Sequence, residues 1–242
     1  MKASALEFRL RFLIHAVVFF LGFYAPWNAA LHLDSIRTWQ FLAAWTVRTV
    51  HIGFSVTTMV VLAIGILCAL VAAILRTWGS AYLGASVVQA GAMHGDSVVA
   101  AGPYRHLRNP LYLGIIIHTF ALALLMPPSG AIFCVLGIIF FEFRLIAGEE
   151  AFLTQKLGEP YRAYCTQVPR LLPSITPRIP ASSQRPQWLA ALFTEIYFWG
   201  VLFSFAALGW RYNSVLILKG VIISLGISFI TRASLLKQQP AE

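Results

Sequence analysis

Apolar residues fall into long, nearly uninterrupted runs along the 242-residue chain, at 12–31, 52–75, 111–141, 188–209 and 214–230. Between them, polar and charged side chains gather in two stretches, 76–110 and 142–185. A helix needs roughly 20 apolar residues to cross a hydrocarbon core, and four of the runs reach or approach that length. The run 111–141 is too long for one crossing. Its centre, Pro127-Pro128-Ser129-Gly130, reads as a turn, because proline cannot donate to a helix ladder and glycine relaxes the backbone. The pattern predicts two short antiparallel helices there and about six spans in all, an all-α polytopic membrane protein.

Composition agrees: 59% of residues are hydrophobic and 11% charged, against about 25% charged in a water-soluble domain. The first run is too long for a cleavable signal, and no small-residue cleavage site precedes a soluble domain. The net charge of +9 matters through its placement. With the N-terminus in the cytoplasm, the inner segments hold Lys2, Arg9, Arg11, Arg76, Arg105, Arg108, Arg144, Lys156, Arg162, Arg170, Arg178, Arg185, Arg232 and Lys237, and the outer ones Arg37, Arg48, Arg211 and Lys219. This asymmetry predicts cytoplasmic termini and basic segments facing anionic membrane lipid, not nucleic acid. In a bacterium the membrane would be the inner one. Cys68, Cys134 and Cys165 form neither a paired framework nor a metal spacing and read as small apolar fillers.

The two polar stretches divide the chain into a first pair of helices (1–75), a core (76–173), a Pro- and Ser-rich linker (174–187) and an appended hairpin with its tail (188–242). The stretch 76–110, rich in glycine and small residues, reads as an irregular connector that walls a cytoplasm-facing cavity, since such backbone at membrane depth must be buried by protein or reached by water. The fourth span is expected to continue through Glu149 and Glu150 until Gly158 ends it, and Pro160 suits the first turn of a short helix beyond. In the hairpin, Lys219 is expected to snorkel outward, whereas Glu195 needs water or a partner such as Arg185. His15, His32, His51 and His118 are isolated, so structural roles and no metal site are expected.

The run Gly102-Pro-Tyr104-Arg-His106-Leu-Arg108-Asn109-Pro110-Leu111-Tyr112-Leu-Gly114 resembles a signature of the isoprenylcysteine carboxyl methyltransferase family. Glu149-Glu150, then Gly158-Glu-Pro-Tyr161 with Tyr164 and Val168-Pro169-Arg170, is similar to that family's second signature. The resemblance covers about 76–173 and implies an integral-membrane methyltransferase that binds S-adenosyl-L-methionine in a cytoplasm-facing pocket. Carried over on the motif, cofactor contacts fall on Gln89, Asp96, Ser97, Val98, Val99, Tyr104, Asn109, Pro110, Leu111, Tyr112 and Glu149. Glu150 completes the acidic pair. The family's arginine that faces the acceptor carboxylate lies one helical turn before that pair, where Arg144 is the nearest match, five residues before Glu149. Asn109 replaces the usual histidine, and Asp96 stands where the family can place one.

The chemistry of these side chains suits the cofactor. Glu149 can accept from an ammonium or a ribose diol, Arg108 can meet a carboxylate through its planar fork, and Tyr104 or Tyr112 can face a sulfonium, worth on the order of 1–2 kcal/mol. Each residue alone would also serve a headgroup anchor or an interfacial aromatic belt. The ordered set with two adjacent acids is not explained that way. Methyl transfer is then positioning catalysis, with Arg144 holding a lipophilic acceptor reached from the bilayer. The acceptor stays open between a carboxylate, a lipid amine and a small thiol. An NADPH-dependent sterol-type reductase and a non-enzymatic membrane protein or transporter are the competing readings.

Overall fold

The computed structural model describes residues 2–33, 36–84, 87–88, 93, 98–181 and 183–236. Its helices are α1 (Ala5–Arg9), α2 (Arg11–Tyr24), α3 (Trp27–Ala30), α4 (Thr38–Val50), α5 (Phe54–Leu83), α6 (Pro110–Ala123), α7 (Pro128–Leu157), α8 (Glu159–Gln167), α9 (Trp188–Thr194), α10 (Ile196–Leu208) and α11 (Ser214–Leu236). Short 3-10 turns occupy Gly102–Arg105 and Gly209–Arg211, and no strand occurs among the described residues.

Arg11–Ala30, Phe54–Leu83, Pro128–Leu157 and Ser214–Thr231 are long and apolar enough to cross a membrane. Trp188–Thr194 with Ile196–Arg211 adds a fifth if counted as one span, bent by 66°. The hairpin expected over 111–141 is unequal instead of two short helices. Pro127, extended at φ −58° and ψ 149°, stops one helix and starts the next. The first has 14 residues and rises about 21 Å, short of a hydrocarbon core; the second has 30 and rises about 45 Å.

The connector expected from Arg76 onward is helical as far as Leu83, and α5 stops at Gly84 with φ +94°. The small residues that suggested irregular backbone are what lets two helices touch. A Cβ on Gly79 would lie 2.7 Å from Leu111 Cδ2, and one on Gly114 would lie 2.7 Å from Arg76 Cγ. Without a hydrophobic drive between helices in lipid, such close approach is the main source of association. The seam between α2 and α7 follows the same rule: a Cβ on Gly130 would run into the Gly22 carbonyl, and one on Gly137 would touch Val18.

The linker 174–187 is tied back at both ends and near its middle. Ser174 N donates to His106 O (3.0 Å), Arg178 N to Arg105 O (2.9 Å) and Gln187 N to Ala81 O (2.8 Å). The last helices pack on α5, with Trp199 Nε1 donating to Thr77 Oγ1 at 2.9 Å. Helix α4, unforeseen in the sequence, lies against α5 and is tied to the α6–α7 turn by Thr38 N and Trp39 N, which donate to Met126 O and Leu124 O. Leu62, Ala121, Met126, Ile138, Val201 and Phe205 form the centre of the main core.

Candidate active site

A cavity of about 140 Å³ lies where the start of α2, the end of α5, the Gly102–Arg105 turn, the start of α6 and the last turns of α7 converge. Pro110 fixes the start of α6. It lacks a backbone donor and sits at the first helical position, which leaves Asn109 outside the helix at φ −125°, ψ 57°. The Gly102–Arg105 turn is locked from below by Tyr164, whose hydroxyl donates to Tyr104 O at 2.8 Å. Burial pushes the Tyr104 phenol well up, so it keeps its proton.

Of the residues expected at the cofactor, Val98, Val99, Tyr104, Arg108, Asn109, Pro110, Leu111, Tyr112 and Glu149 all line this cavity. Gln89, Asp96 and Ser97 lie outside the described residues. Tyr112 Oη donates to Glu149 Oε2 at 2.5 Å, and the other Glu149 oxygen takes no hydrogen bond from the described residues. That oxygen and the rings of Tyr104 and Tyr112 give the cavity an anionic, aromatic side. Val87, Val88, Val98, Val99, Leu153 and Leu157 supply an apolar wall.

For four of the expected residues the geometry shows protein partners. Glu150 is not among the lining residues. It lies within 3.1 Å of Arg108 Nε and 2.6 Å of Arg170 Nη2, and it accepts from Asn109 Nδ2 at 3.3 Å. Arg108 lies with Nε 3.1 Å from Glu150 and donates Nη1 to Cys165 O at 2.8 Å, so its charge is already paired, while the residue still lines the cavity. Asn109 likewise turns Nδ2 to Glu150 and to Arg170 O (3.1 Å), so its amide faces protein and not a cofactor carboxylate. Arg144 also stands off the cavity. Its Nη2 reaches both Glu7 oxygens at 2.8 Å, and its backbone carbonyl accepts from Ala3 N. The five-residue spacing rotates it roughly 140° round α7 from Glu149.

The sequence reading missed the contribution of the first helices, which it took only as a pair of membrane spans. Phe8, Arg11, Phe12 and His15 all line the cavity. The Arg11 guanidinium lies 4.3 Å and 4.5 Å from the centres of the Phe8 and Phe12 rings, a cation–π arrangement that lets a buried cation persist. His15 is not isolated. Its Nε2 lies 2.5 Å from Glu142 Oε1 and its Nδ1 2.6 Å from Arg11 O. The signals were present: Arg11 and His15 are four apart, and Glu142 precedes Glu149 by two helical turns, on the same face. Glu195, fully buried, is partnered by Arg76, which also lines the cavity, and not by Arg185. Among the described residues no cluster of His, Cys, Asp or Glu has the arrangement of a metal site.

Residues 60–160, which span most of α5, all of α6 and α7 and the start of α8, match the phospholipid methyltransferase family. No curated protein and no solved structure matches the chain. The family match supports a membrane methyltransferase and lies in the same integral-membrane superfamily as the family whose signatures the chain resembles.

Proposed function

We propose that this protein transfers a methyl group from S-adenosyl-L-methionine to a lipophilic acceptor carried in the bilayer. The observation that carries this reading is the Tyr112–Glu149 pair, which leaves one carboxylate oxygen at the cavity, inside the segment that matches the methyltransferase family. The residues present fit the cofactor. Glu149 offers an acceptor for its ammonium or ribose hydroxyls, Tyr104 and Tyr112 offer ring faces for its sulfonium, and the valine and leucine wall offers an apolar slot for adenine.

When bound, the cofactor supplies an electrophilic methyl on a good leaving group. The protein's own part is alignment and exclusion of water: burying both reactants in one cavity lets orientation supply roughly 7–11 kcal/mol of the barrier. The α5–α6 contact at Gly79 and Leu111 and the Tyr164–Tyr104 bond keep the walls in place. For the acceptor we favour a carboxylate on a lipophilic group, because the cations Arg11 and Arg76 line the cavity and place positive charge at its wall. The match to phospholipid methyltransferases favours a lipid amine as a second reading.

Equilibrium binding to the purified protein in detergent tests the proposal. Saturable binding of S-adenosylmethionine with none of NADPH is expected. No binding of the methyl donor overturns it, and binding of NADPH alone points to a reductase. Turnover of labelled donor with N-acetyl-S-farnesylcysteine or with phosphatidylethanolamine then separates the two acceptors.

A further inference from the structure

Arg76 and Glu195 are 119 residues apart in sequence and meet inside the protein. Arg76 Nε donates to Glu195 Oε2 and Nη2 to Oε1, both at 2.8 Å, and Ser80 Oγ donates to Oε1 as well. The carboxylate is fully buried, at the break where α9 and α10 bend by 66°. The Phe198 ring, one turn into α10, lies 4.9 Å below the guanidinium. On the other side Gly114 leaves room for the Arg76 stem.

Two charges buried together are costly to desolvate, and an apolar pair of similar size would often serve stability as well or better. The pair therefore calls for a use other than holding the helices together. A guanidinium has five N–H donors. Glu195 takes two, and Leu111 O takes a third weakly, at 3.4 Å from Nη1. The described residues use no others, and the residue lines the cavity. Arg108, the cation expected from the sequence to meet a carboxylate, is already charge-paired with Glu150.

We propose that Arg76, aimed by Glu195 from the bend between α9 and α10, binds an oxyanion of the ligand held in this cavity, a carboxylate or phosphate oxygen. The inference rests on the methyltransferase reading and adds to it a binding residue outside both sequence signatures, positioned by the last helices. Two sources can supply the oxyanion: the methionine carboxylate of the donor, or the acceptor. Glu195 is a positioning residue: it fixes the plane of the fork and leaves one edge to the ligand.

Removing Arg76 alone would strand a buried carboxylate, so the informative variant is the double replacement Arg76→Met with Glu195→Leu, which keeps the volume and removes both charges. The expected result is a folded protein that has lost tenfold or more in one affinity. If the donor supplies the oxyanion, the loss appears with S-adenosylmethionine and not with its decarboxylated analogue. If the acceptor supplies it, both donors bind as before and the KM for N-acetyl-S-farnesylcysteine or for phosphatidylethanolamine rises. Should the double variant fail to fold, Arg76→Lys keeps the cation for Glu195 but removes the fork, and a fivefold loss in the same assays is expected. Affinities and KM unchanged in the folded variant overturn the proposal while the methyltransferase reading stands. No donor binding by the wild type removes both.

Discussion

The Tyr112 hydroxyl and the Glu149 carboxylate, 37 residues apart, meet at 2.5 Å and join the first turn of α6 to a late turn of α7. A hydrogen bond to a charged group contributes about 1.5–3 kcal/mol. Tyr112→Phe, which removes the hydroxyl and keeps the ring, is expected to weaken S-adenosylmethionine binding about tenfold, since 1.4 kcal/mol is a factor of ten. Glu149→Gln is expected to cost more, and the double variant less than the sum, because the two groups act as a unit. Calorimetric titration of the three variants checks this; wild-type affinity in Glu149→Gln would show that the pair does not touch the donor.

Glu150 gathers Arg108, Arg170 and Asn109 behind the cavity. Glu150→Ala leaves buried cationic and amide groups without their acceptor. Because the Arg170 side chain is half exposed, the expected loss lies at or below the lower end of the roughly 3–5 kcal/mol seen when a buried pair is broken. Thermal unfolding in detergent reads it. A variant that unfolds at the wild-type temperature but binds no donor would place Glu150 at the ligand instead.

Gly130→Ala pushes a methyl into the Gly22 carbonyl, where backbone and not a flexible side chain stands in the way. Overpacking of this kind costs typically about 1–3 kcal/mol, and the expected outcome is a lower unfolding temperature together with weaker donor binding, as α2 and its cavity residues are displaced. Gly226→Ala, where nothing lies within 4 Å, serves as the control that should change neither.

Arg144 and Glu7 give a pH-dependent contact. The Glu7 carboxyl is held below its ordinary value of 4.5, first by the Ser4 backbone amide and then by Arg144. A lowered carboxyl pKa contributes stability that is complete above the unfolded value and is lost as pH falls through the folded one. The contact should therefore persist from neutral pH down to about 5 and open in more acidic solution. Hydrogen exchange of the α1 amides would follow it. Since Arg144 faces Glu7, Arg144→Ala is expected to leave donor affinity within about twofold of wild type, within the reach of a surface substitution.

Much of this was legible in the sequence. The apolar runs gave the long helices, Gly158 and Pro160 marked the end of α7 and the start of α8, and the signature residues Tyr104 and Arg108 to Tyr112 line the same cavity as Glu149. What stayed hidden depends on which long-range partner a charge finds. Nothing in the string says that Asn109 and Arg108 turn to Glu150, that Arg144 turns to Glu7, or that Arg76 waits for a carboxylate 119 residues later. The inward turn of Phe8, Arg11 and His15 was masked by the apolar run they sit in or beside, and the glycines of α5 hid a helix by imitating a loop.

The α2–α7 seam is closed at Gly22, Val18 and His15, and Ala3, ahead of α1, extends it, each against a residue of α7. The α5–α6 and α6–α7 boundaries are held at Gly79 and at Tyr112. Between α2 and α5, which both border the cavity, Arg11 Nη2 donates to Val88 O at 3.3 Å and Met93 packs against the cluster that holds Phe8 and Leu145. That side of the cavity is therefore built by the chain leaving α5, so the segment that looked like a loop in the sequence ties the first helices to the rest of the site.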